Sequence, residues 1–467
     1  MQKLFQETLT LDDLAREQYE LTQEIMMEHA ANRISQLVRQ LTDQKREEIP
    51  PLPKIVIFCG AGNNGADGYA LARMLQADFN VIVYEVFPAK TALALLQKRR
   101  ALKVGVTLLE LDAPLLDKMS FDADIYIDAI LGASQKGEYS PFLIKLIAML
   151  NETPGIKIAC DLPTGMPKYP IKADYTVTMG ALKERLFFDD MKDFIGEVIV
   201  ADLGISRHLY ERETASYLLE LKDLKLPHRD HHDSHKGSYG FVSIIKGDQS
   251  GASILAAKAA MAFGAGITAL VGDGDKPFEI MQMSEISPKT TAVAAGMGLG
   301  NKEIDIPKLR DYPIVIDADL FTHKALLPLI KEKKDLILTP HPKEFSALLD
   351  LVGLGNYTIA EIQQNRFALA RKFTQEFPVV LVLKGANTLI AQGGFLYVST
   401  LGTNYLAKGG SGDVLAGMIT ALLGQGYLPI DAAIQGVLAH SIASIRLNMN
   451  DYAMTPLDLI AALKTLA

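Results

Sequence analysis

Carboxylate, amide and hydroxyl side chains follow three short apolar segments in the first half of the 467-residue sequence. After the first segment come Asn63, Asn64 and Asp67, after the second Asp128, and after the third Asp161 and Thr164. A carboxylate can exchange a proton with a substrate, and oxygen atoms of these types suit a hard cation. Since ligands bind at the carboxyl ends of strands in an open α/β sheet, we predict one site here. The alternative is that Asp128 and Asp161 cap helix N-termini.

A second pattern, Gly409–Gly412 followed by Asp413, precedes the apolar helical segment 414–423. The backbone N–H groups of such a loop can bind an anion at a helix N-terminus. A carboxylate beside bound phosphates is electrostatically costly unless it takes a proton or polarises a hydroxyl. We therefore predict a nucleotide site with Asp413 as its acid/base. The alternative is an acidic residue that only complements the helix dipole.

Four histidines lie within eight residues, and this spacing raises the question of a metal site: His228, His231, His232 and His235. No cysteine accompanies them, and the segment 207–236 is charged and linker-like. Structural zinc sites usually combine histidine with cysteine at regular spacings. A metal site is therefore the less favoured interpretation.

The segments between these motifs alternate between short β-branched runs and helical apolar patterns, which predicts parallel sheets covered on both faces. We predict an α/β fold with two domains, 1–212 and 213–467, the first a Rossmann-like doubly wound sheet. A single helical region is predicted over 11–48. The predicted strands are 55–58, 81–86, 125–130, 156–159, 175–179 and 198–201, then 241–245, 267–271, 292–295, 314–316, 336–338 and 379–383.

Composition narrows the class of protein. The chain has 49% hydrophobic residues and a formal net charge of −8, which excludes a largely disordered chain and gives no global attraction to nucleic acid or anionic lipid. Its two cysteines, Cys59 and Cys160, cannot form a disulfide scaffold, and the first residues lack the apolar segment of a signal peptide. We expect a soluble cytoplasmic protein with no nucleic-acid or membrane partner.

Three motifs of the first half resemble the YjeF-type NAD(P)H-hydrate epimerases: AGNNGADG, DAILG and CDLPTG. Ala66 stands where that family usually has glycine, and Thr164 where it usually has serine. The resemblance implies a K⁺ site formed by Asn64, Asp128 and Thr164. It also implies that Asp161 is the acid/base that inverts carbon 6 of the nicotinamide ring. The implied substrate contacts are Asn63, Asn64, Gly65, Ala66, Asp67, Gly132, Ala133, Ser134, Gln135, Lys136, Gly137, Glu138 and Asp161.

The second half resembles the ribokinase-like, ADP-dependent NAD(P)H-hydrate dehydratases. The resemblance rests on the Gly409–Asp413 loop and on motifs that begin at His235, Gly251, Gly296, Asp317, Thr339 and Lys384. It implies that ADP is bound by Lys384, Gly385, Ala386, Asn387, Thr388 and Gly412. The implied substrate contacts are Ala252, Gly298, His341 and Asp413. Lys343 and the run 404–406 depart from the usual family pattern.

Together the two resemblances imply one bifunctional enzyme that repairs hydrated nicotinamide cofactors. The substrates would be NADHX and NADPHX, the co-substrate ADP, and the ions K⁺ and Mg²⁺, in a homo-oligomer. The epimerase would interconvert the R and S hydrates, and the dehydratase would return the S form to NAD(P)H. The alternatives are a true small-molecule kinase, and a non-catalytic nucleotide- or lipid-binding module.

Overall fold

The computed structural model describes residues 1–43, 52–133 and 138–466. The chain divides into two compact units. One is Lys3–Thr214, and the other is Ala215–Ala467 together with Met1–Gln2. No helix among the described residues is long and apolar enough to cross a membrane.

The first unit alternates strands and helices. Its strands are β1 Gln2–Phe5, β2 Lys54–Cys59, β3 Asn80–Glu85, β4 Thr107–Glu110, β5 Ile125–Ala129, β6 Ile156–Cys160, β7 Tyr175–Met179, β8 Leu182–Lys183 and β9 Glu197–Ala201. Its helices are α1 Leu9–Tyr19, α2 Gln23–Asp43, α3 Asn63–Leu75, α4 Ala92–Lys103, α5 Ala113–Leu116, α6 Pro141–Glu152 and α7 Arg207–Tyr210.

Seven of these strands form a parallel sheet in the order β4-β3-β2-β5-β6-β7-β9. The chain moves outward from β2 to β4 on one side and from β5 to β9 on the other, so the strand order switches between β2 and β5. One apolar cluster includes α2 and α3 side chains, and another includes α6 side chains. The sheet is therefore a doubly wound one, and its switch point is where such sheets bind ligands.

The single helical region expected over 11–48 is wrong. The structure has two helices, α1 and α2, because Glu20 takes a left-handed conformation (φ 56°) and ends the first one. A left-handed residue after the last turn is a usual helix terminator. The end of the predicted range, 44–48, lies outside the described residues.

The second unit is also α/β. Its strands are β10 Ser216–Leu218, β11 Phe241–Ile245, β12 Ile267–Val271, β13 Met281–Met283, β14 Ala292–Ala295, β15 Ile314–Ile316, β16 Leu336–Leu338, β17 Val380–Leu383, β18 Thr388–Gln392 and β19 Phe395–Ser399. Its helices are α8 Ser250–Ala262, α9 Leu327–Glu332, α10 Pro342–Val352, α11 Ile359–Glu376, α12 Ser411–Gly424, α13 Pro429–Ile445 and α14 Pro456–Leu463.

The strand order in this unit is β13-β12-β11-β14-β15-β16-β17-β18-β19-β10. It is parallel from β13 to β17 and antiparallel through β18 and β19. Helices α8, α12 and α13 contribute most of the apolar side chains that cover one face. The prediction of two α/β domains is confirmed.

The charge of the segment 207–236 predicted a linker, but the structure shows that this segment is not a plain linker. It contains α7 and β10, and β10 pairs in parallel with β19, with Ser216 opposite Leu396. The strand is only three residues long, so the charged residues around it hid its pattern. His235 caps the following turn by accepting a hydrogen bond from the Gly237 N–H. Among the described residues, no group of three or more histidine, cysteine or acidic side chains could hold a metal ion.

Candidate active sites

The first candidate site lies where β2, β5, β6 and β7 end side by side. The glycine-rich turn after β2 is tightly packed, because a side chain at Gly65 would place its Cβ 1.9 Å from the Gly60 carbonyl oxygen. Ala66 lies inside α3, is fully buried, and packs near Met27 and Ala94. The turn therefore accommodates alanine at position 66.

Asp128 and Thr164 are in direct contact at this edge. The Thr164 hydroxyl donates to Asp128 Oδ1 at 2.6 Å, and the Thr164 N–H donates to Oδ2 at 2.7 Å. The Ile130 N–H also donates to Oδ1. Burial raises the pKa of Asp128 to about 6 despite these hydrogen bonds. The carboxylate is thus buried among neutral donors, which leaves its charge uncompensated.

Asp161 follows β6 and is held by a buried lysine. Lys183 Nζ donates to Asp161 Oδ1 at 2.7 Å, and the Ala133 N–H donates to Oδ2 at 2.8 Å. Burial would raise the pKa of Asp161, but the charge and hydrogen bond of Lys183 lower it below its ordinary value. Asp161 also has a left-handed backbone (φ 70°), which is rare outside glycine and often marks a functional position.

The remaining predicted residues of this site surround Asp161 unequally. A Cβ on Gly132 would lie 3.0 Å from Asp161 Oδ2 and 3.3 Å from Asn64 Oδ1, so these two side chains flank the same glycine. Among the described side chains, that of Asn64 makes no hydrogen bond to Asp128 or Thr164, and its buried amide nitrogen has no partner. Asn63 and Glu138 are exposed. Ser134, Gln135, Lys136 and Gly137 lie outside the described residues.

A cavity of about 200 Å³ opens beside this cluster, and Asn63, Asp67 and Asp12 are among its lining residues. Asp67 is buried. Burial, with the charges of Asp161 and Asp12, raises its pKa well above the ordinary value. Burial likewise raises the pKa of Asp12 to about 6. Three acidic residues therefore share this part of the unit.

The second candidate site lies where β14, β15, β16 and β17 end side by side. Asp317 follows β15 and Lys384 follows β17, and Lys384 Nζ donates to Asp317 Oδ1 at 2.8 Å. Glu344, in the first turn of α10, lies 3.9 Å from the same nitrogen. Burial opposes the charge of Lys384, but Asp317 and Glu344 raise its pKa above the ordinary value. The ammonium group is therefore fixed and charged.

The glycine loop meets this ion pair at the N-terminus of α12. A Cβ on Gly412 would lie 3.3 Å from Lys384 Nζ, and Gly410 takes a left-handed conformation (φ 92°) before the helix starts. Asp413 lies in the first helical turn and is half-buried. Burial, followed by the charge of Asp317, raises its pKa to about 6. Lys384 and Gly412, both predicted nucleotide contacts, are thus neighbours beside Asp413.

The other predicted residues of the second site fall into three places. Ala252 and Gly298 are adjacent, because a Cβ on Gly298 (φ 58°) would lie 3.0 Å from the Ala252 Cβ. His341 is exposed and caps α10, accepting from the Glu344 N–H through Nδ1. Gly385, Ala386 and Asn387 form the turn between β17 and β18, and Thr388 begins β18. Gly385 and Ala386 are exposed, and Asn387 is buried.

Comparison with known proteins matches both units. A family model described as YjeF-related protein N-terminus matches residues 23–185, and one described as NAD(P)H-hydrate dehydratase matches 242–465. The bifunctional NAD(P)H-hydrate repair enzyme Nnr of Helicobacter pylori is 42% identical over all of both chains. The chain belongs to the bifunctional NAD(P)H-hydrate repair enzymes.

Other relatives of this repair family extend the comparison. The Nnr enzyme of Coxiella burnetii is 34% identical over 85% of this chain and 86% of its own. A solved structure, an ADP/ATP-dependent NAD(P)H-hydrate dehydratase of Bacillus subtilis co-crystallised with ATP/Mg²⁺, is 26% identical. It covers 52% of this chain and 93% of its own, with a TM-score of 0.43. The two family models and the Helicobacter pylori relative confirm the prediction of a bifunctional repair enzyme.

The sequence did not predict the charged side chains that form ion pairs with the predicted site residues or lie beside them. Lys183 and Asp12 were not singled out, and Asp317 and Glu344 were seen only as parts of motifs. Lys183 lies 22 positions from Asp161, and Lys384 lies 67 from Asp317. One weak signal exists for Lys183: a lysine that ends an otherwise apolar run, Gly180–Lys183, needs a buried partner.

Proposed function

We propose that the first unit interconverts the R and S hydrates of NADH and NADPH, and that the second removes water from the S hydrate with ADP. The observation that carries this proposal is that each unit has its own carboxyl group at a candidate site, Asp161 directly after β6 in one and Asp413 in the first turn of α12 in the other. The functional domains are proposed as 1–212 and 213–467. One chain would then convert both hydrates to usable cofactor.

In the first unit, Asp161 is the proposed acid/base. Inversion of a carbon that carries a hydroxyl group requires a bond at that carbon to break and to form again on the other face. Asp161 would take the proton of the carbon-6 hydroxyl as the bond from carbon 6 to the ring nitrogen breaks, and would return it when that bond forms again on the other face. Asp67, Asn64 and Gly132 would contact the ring and its carboxamide, as their places around Asp161 favour.

In the second unit, Asp413 is the proposed group that assists loss of the hydroxyl. A hydroxyl group leaves more readily once it is protonated or its charge is neutralised. The amides of the glycine loop and the turn 385–388 would hold ADP, with Lys384 beside the phosphates. Mg²⁺ would come with the nucleotide, since it prefers phosphate and carboxylate oxygens.

We also propose that K⁺ binds beside Asp128. The donor set is oxygen only, and Asp128 is a buried carboxylate whose partners in the described chain are all neutral. A monovalent cation would neutralise its charge and keep it ionised. Thr164 would supply its hydroxyl oxygen, and Asn64 would need to turn its amide oxygen toward Asp128.

The K⁺ proposal is tested by melting temperature. Wild type should melt at a higher temperature in KCl than in tetramethylammonium chloride of equal ionic strength, and Asp128→Asn should remove most of that difference. Asp124 immediately precedes β5, and within the described part of the chain its side chain accepts only from the Lys54 N–H, so Asp124→Asn is the matched control. Equal melting in both salts for wild type would reject the site.

The repair activity is tested with purified full-length protein and hydrated NADH. The S hydrate with ADP should regenerate the NADH absorbance. The R hydrate should do so as well, through epimerisation. Absorbance that does not rise for the S hydrate would reject the dehydratase. A stable phosphorylated product formed at the expense of ATP would favour the kinase alternative instead.

A further inference from the structure

Lys183 is a buried ammonium group with all of its hydrogens in use. It is 5% exposed, and its Nζ donates to Asp161 Oδ1 (2.7 Å), Thr178 Oγ1 (2.8 Å) and the Met179 carbonyl oxygen (2.9 Å). An ammonium group has three hydrogens and no acceptor. Lys183 therefore has no hydrogen left for a substrate, and its charged partner in the described chain is Asp161.

The contacts of Asp161 divide between its two oxygens. Oδ1 accepts from Lys183 Nζ at 2.7 Å and from the Met179 N–H at 3.3 Å. Oδ2 accepts from the Ala133 N–H and lies next to Gly132, on the side where Asn64 lies. Because Oδ1 already has two donors, Oδ2 is the oxygen that faces the proposed substrate position.

Two more carboxyl groups lie near enough to this ion pair to interact with its charges. Asp12 lies on α1 and Asp67 on α3. Beyond the effect of burial, the charge of Lys183 lowers the pKa of Asp12, whereas the charge of Asp161 raises the pKa of both Asp12 and Asp67. On the same helix as Asp12, the charge of Asp13 raises the pKa of Asp12 and the charge of Arg16 lowers it. Three carboxyl groups around one buried ammonium cannot all stay ionised if that ammonium is removed.

We propose that Lys183 is a positioning residue of the epimerase: it keeps Asp161 ionised and directs Oδ2 toward the substrate. This inference rests on the proposed function of the first unit and adds a residue to it. With Lys183 in place, protons that enter the cluster go to Asp67 or Asp12. Without it, Asp161 competes for them and is no longer available as a base.

The test uses full-length protein and the R hydrate. Lys183→Met keeps the length of the apolar stem and removes the charge. We expect kcat/KM for epimerisation at pH 7 to fall by roughly 10²-fold, within the usual range for loss of acid–base catalysis. The acid limb of the kcat/KM profile should move to higher pH by about one unit or more, because Asp161 then binds a proton more readily.

Two variants keep this test decisive. Lys98→Met is the matched control, since it removes a similar ion pair in the same unit, Lys98 Nζ to buried Glu85 at 2.7 Å. Its acid limb should stay where it is in wild type. Lys183→Arg retains the charge, so its acid limb should lie closer to that of wild type than the limb of Lys183→Met, even if activity falls.

Failure of this inference is separable from failure of the proposed function. If wild type does not interconvert the hydrates, the epimerase assignment itself is wrong. If wild type does so and the acid limb of Lys183→Met is unshifted, Lys183 is only structural and the inference is overturned. If Lys183→Met does not fold, Lys183→Arg provides the test. An acid limb of Lys183→Arg that lies one pH unit above that of wild type would overturn the inference as well. Dehydration of the S hydrate by each variant reports whether the rest of the chain is intact.

Discussion

Each candidate site contains a lysine–aspartate ion pair, but the lysine pairs with a carboxyl group of a different role in each site. In the first unit Lys183 pairs with Asp161, the proposed acid/base itself. In the second unit Lys384 pairs with Asp317 and leaves the proposed acid/base, Asp413, without a direct cationic partner among its described contacts. As a result the pKa of Asp161 is lowered, and burial raises that of Asp413 to about 6.

This difference moves the pKa values of the two groups in opposite directions. A carboxylate beside an ammonium stays ionised and can act as a base, whereas a half-buried carboxyl next to other acids binds a proton at a higher pH than an ordinary carboxyl does. In the proposed mechanisms, Asp161 removes a proton at the start of epimerisation, and Asp413 donates one to the leaving hydroxyl in dehydration. The position of one lysine in each site therefore matches the proposed direction of proton transfer.

The largest effect should come from Asp413→Asn. We expect the kcat for dehydration to fall by roughly 10²–10⁴-fold, because the amide cannot transfer a proton. Nucleotide affinity should change little, since the loop amides and Lys384 remain. Epimerisation by the same variant should equal that of wild type.

The control for this prediction separates chemistry from the helix dipole. Asp431 is an exposed acid in the first turn of α13, as Asp413 is in the first turn of α12. Asp431→Asn should leave dehydration unchanged. If Asp413→Asn also dehydrated normally, Asp413 would be a helix-terminal charge only. Loss of both activities would show that the two sites are coupled.

Asp161→Asn should lower epimerisation by about 10²-fold or more, since the variant keeps one acceptor oxygen but cannot take a proton. The measurement is conversion of the R hydrate, with dehydration of the S hydrate as the internal control. Normal epimerisation by this variant would leave Asp161 as a structural residue that organises Ala133 and Lys183.

The sequence predicts the strands and helices better than it predicts which side chains pair in each site. Strands β11, β12, β14, β15 and β16 have the bounds predicted from their continuous apolar runs. Strand β4 (Thr107–Glu110) was missed because it is a mostly exposed edge strand with little apolar pattern. The break at Glu20 was missed because the helical period of apolar residues continues across it.

The residues of the two sites were predictable only where a local sequence pattern marks them. A carboxylate at the end of an apolar strand is a local pattern, and so is one that follows a glycine-rich loop. Asp128 and Asp161 could be selected from the sequence by the first pattern, and Asp413 by the second. Which lysine pairs with which carboxylate depends on how distant segments pack, and no local pattern carries it. The opposite pKa shifts of Asp161 and Asp413 therefore required the structure.

The two activities should lose rate at opposite ends of the pH range. Dehydration requires protonated Asp413, so its kcat/KM should fall about tenfold per pH unit above the pKa of that group, which lies at about 6 without phosphates bound and higher with them. Epimerisation requires ionised Asp161, so its kcat/KM should fall only at acid pH. Profiles from pH 5 to 9 measure both. Parallel limbs for the two reactions would contradict the comparison.

The smallest expected effect concerns stability of the second unit and its dependence on pH. His440, on α13, is buried and its Nε2 lies 3.0 Å from the carbonyl oxygen of Ser411, the first residue of α12, to which it can donate. Burial lowers its pKa to about 4, below the ordinary value near 6.5. Below pH 6.5 the unfolded chain therefore binds a proton that the folded chain does not, and stability falls as the pH falls.

The loss attributable to His440 between pH 7 and pH 4.5 should be on the order of 2 kcal/mol of unfolding free energy. His440→Gln retains a side-chain N–H donor but cannot be protonated, so it should lack this part of the acid sensitivity. Amide hydrogen exchange of α12 and α13 in the full-length chain measures the unfolding free energy of this region. Because Asp413 titrates in the same unit with the opposite sign, the wild-type minus variant difference isolates the histidine. An equal loss in both proteins would mean that His440 is protonated in the folded state and that the loop is held in another way.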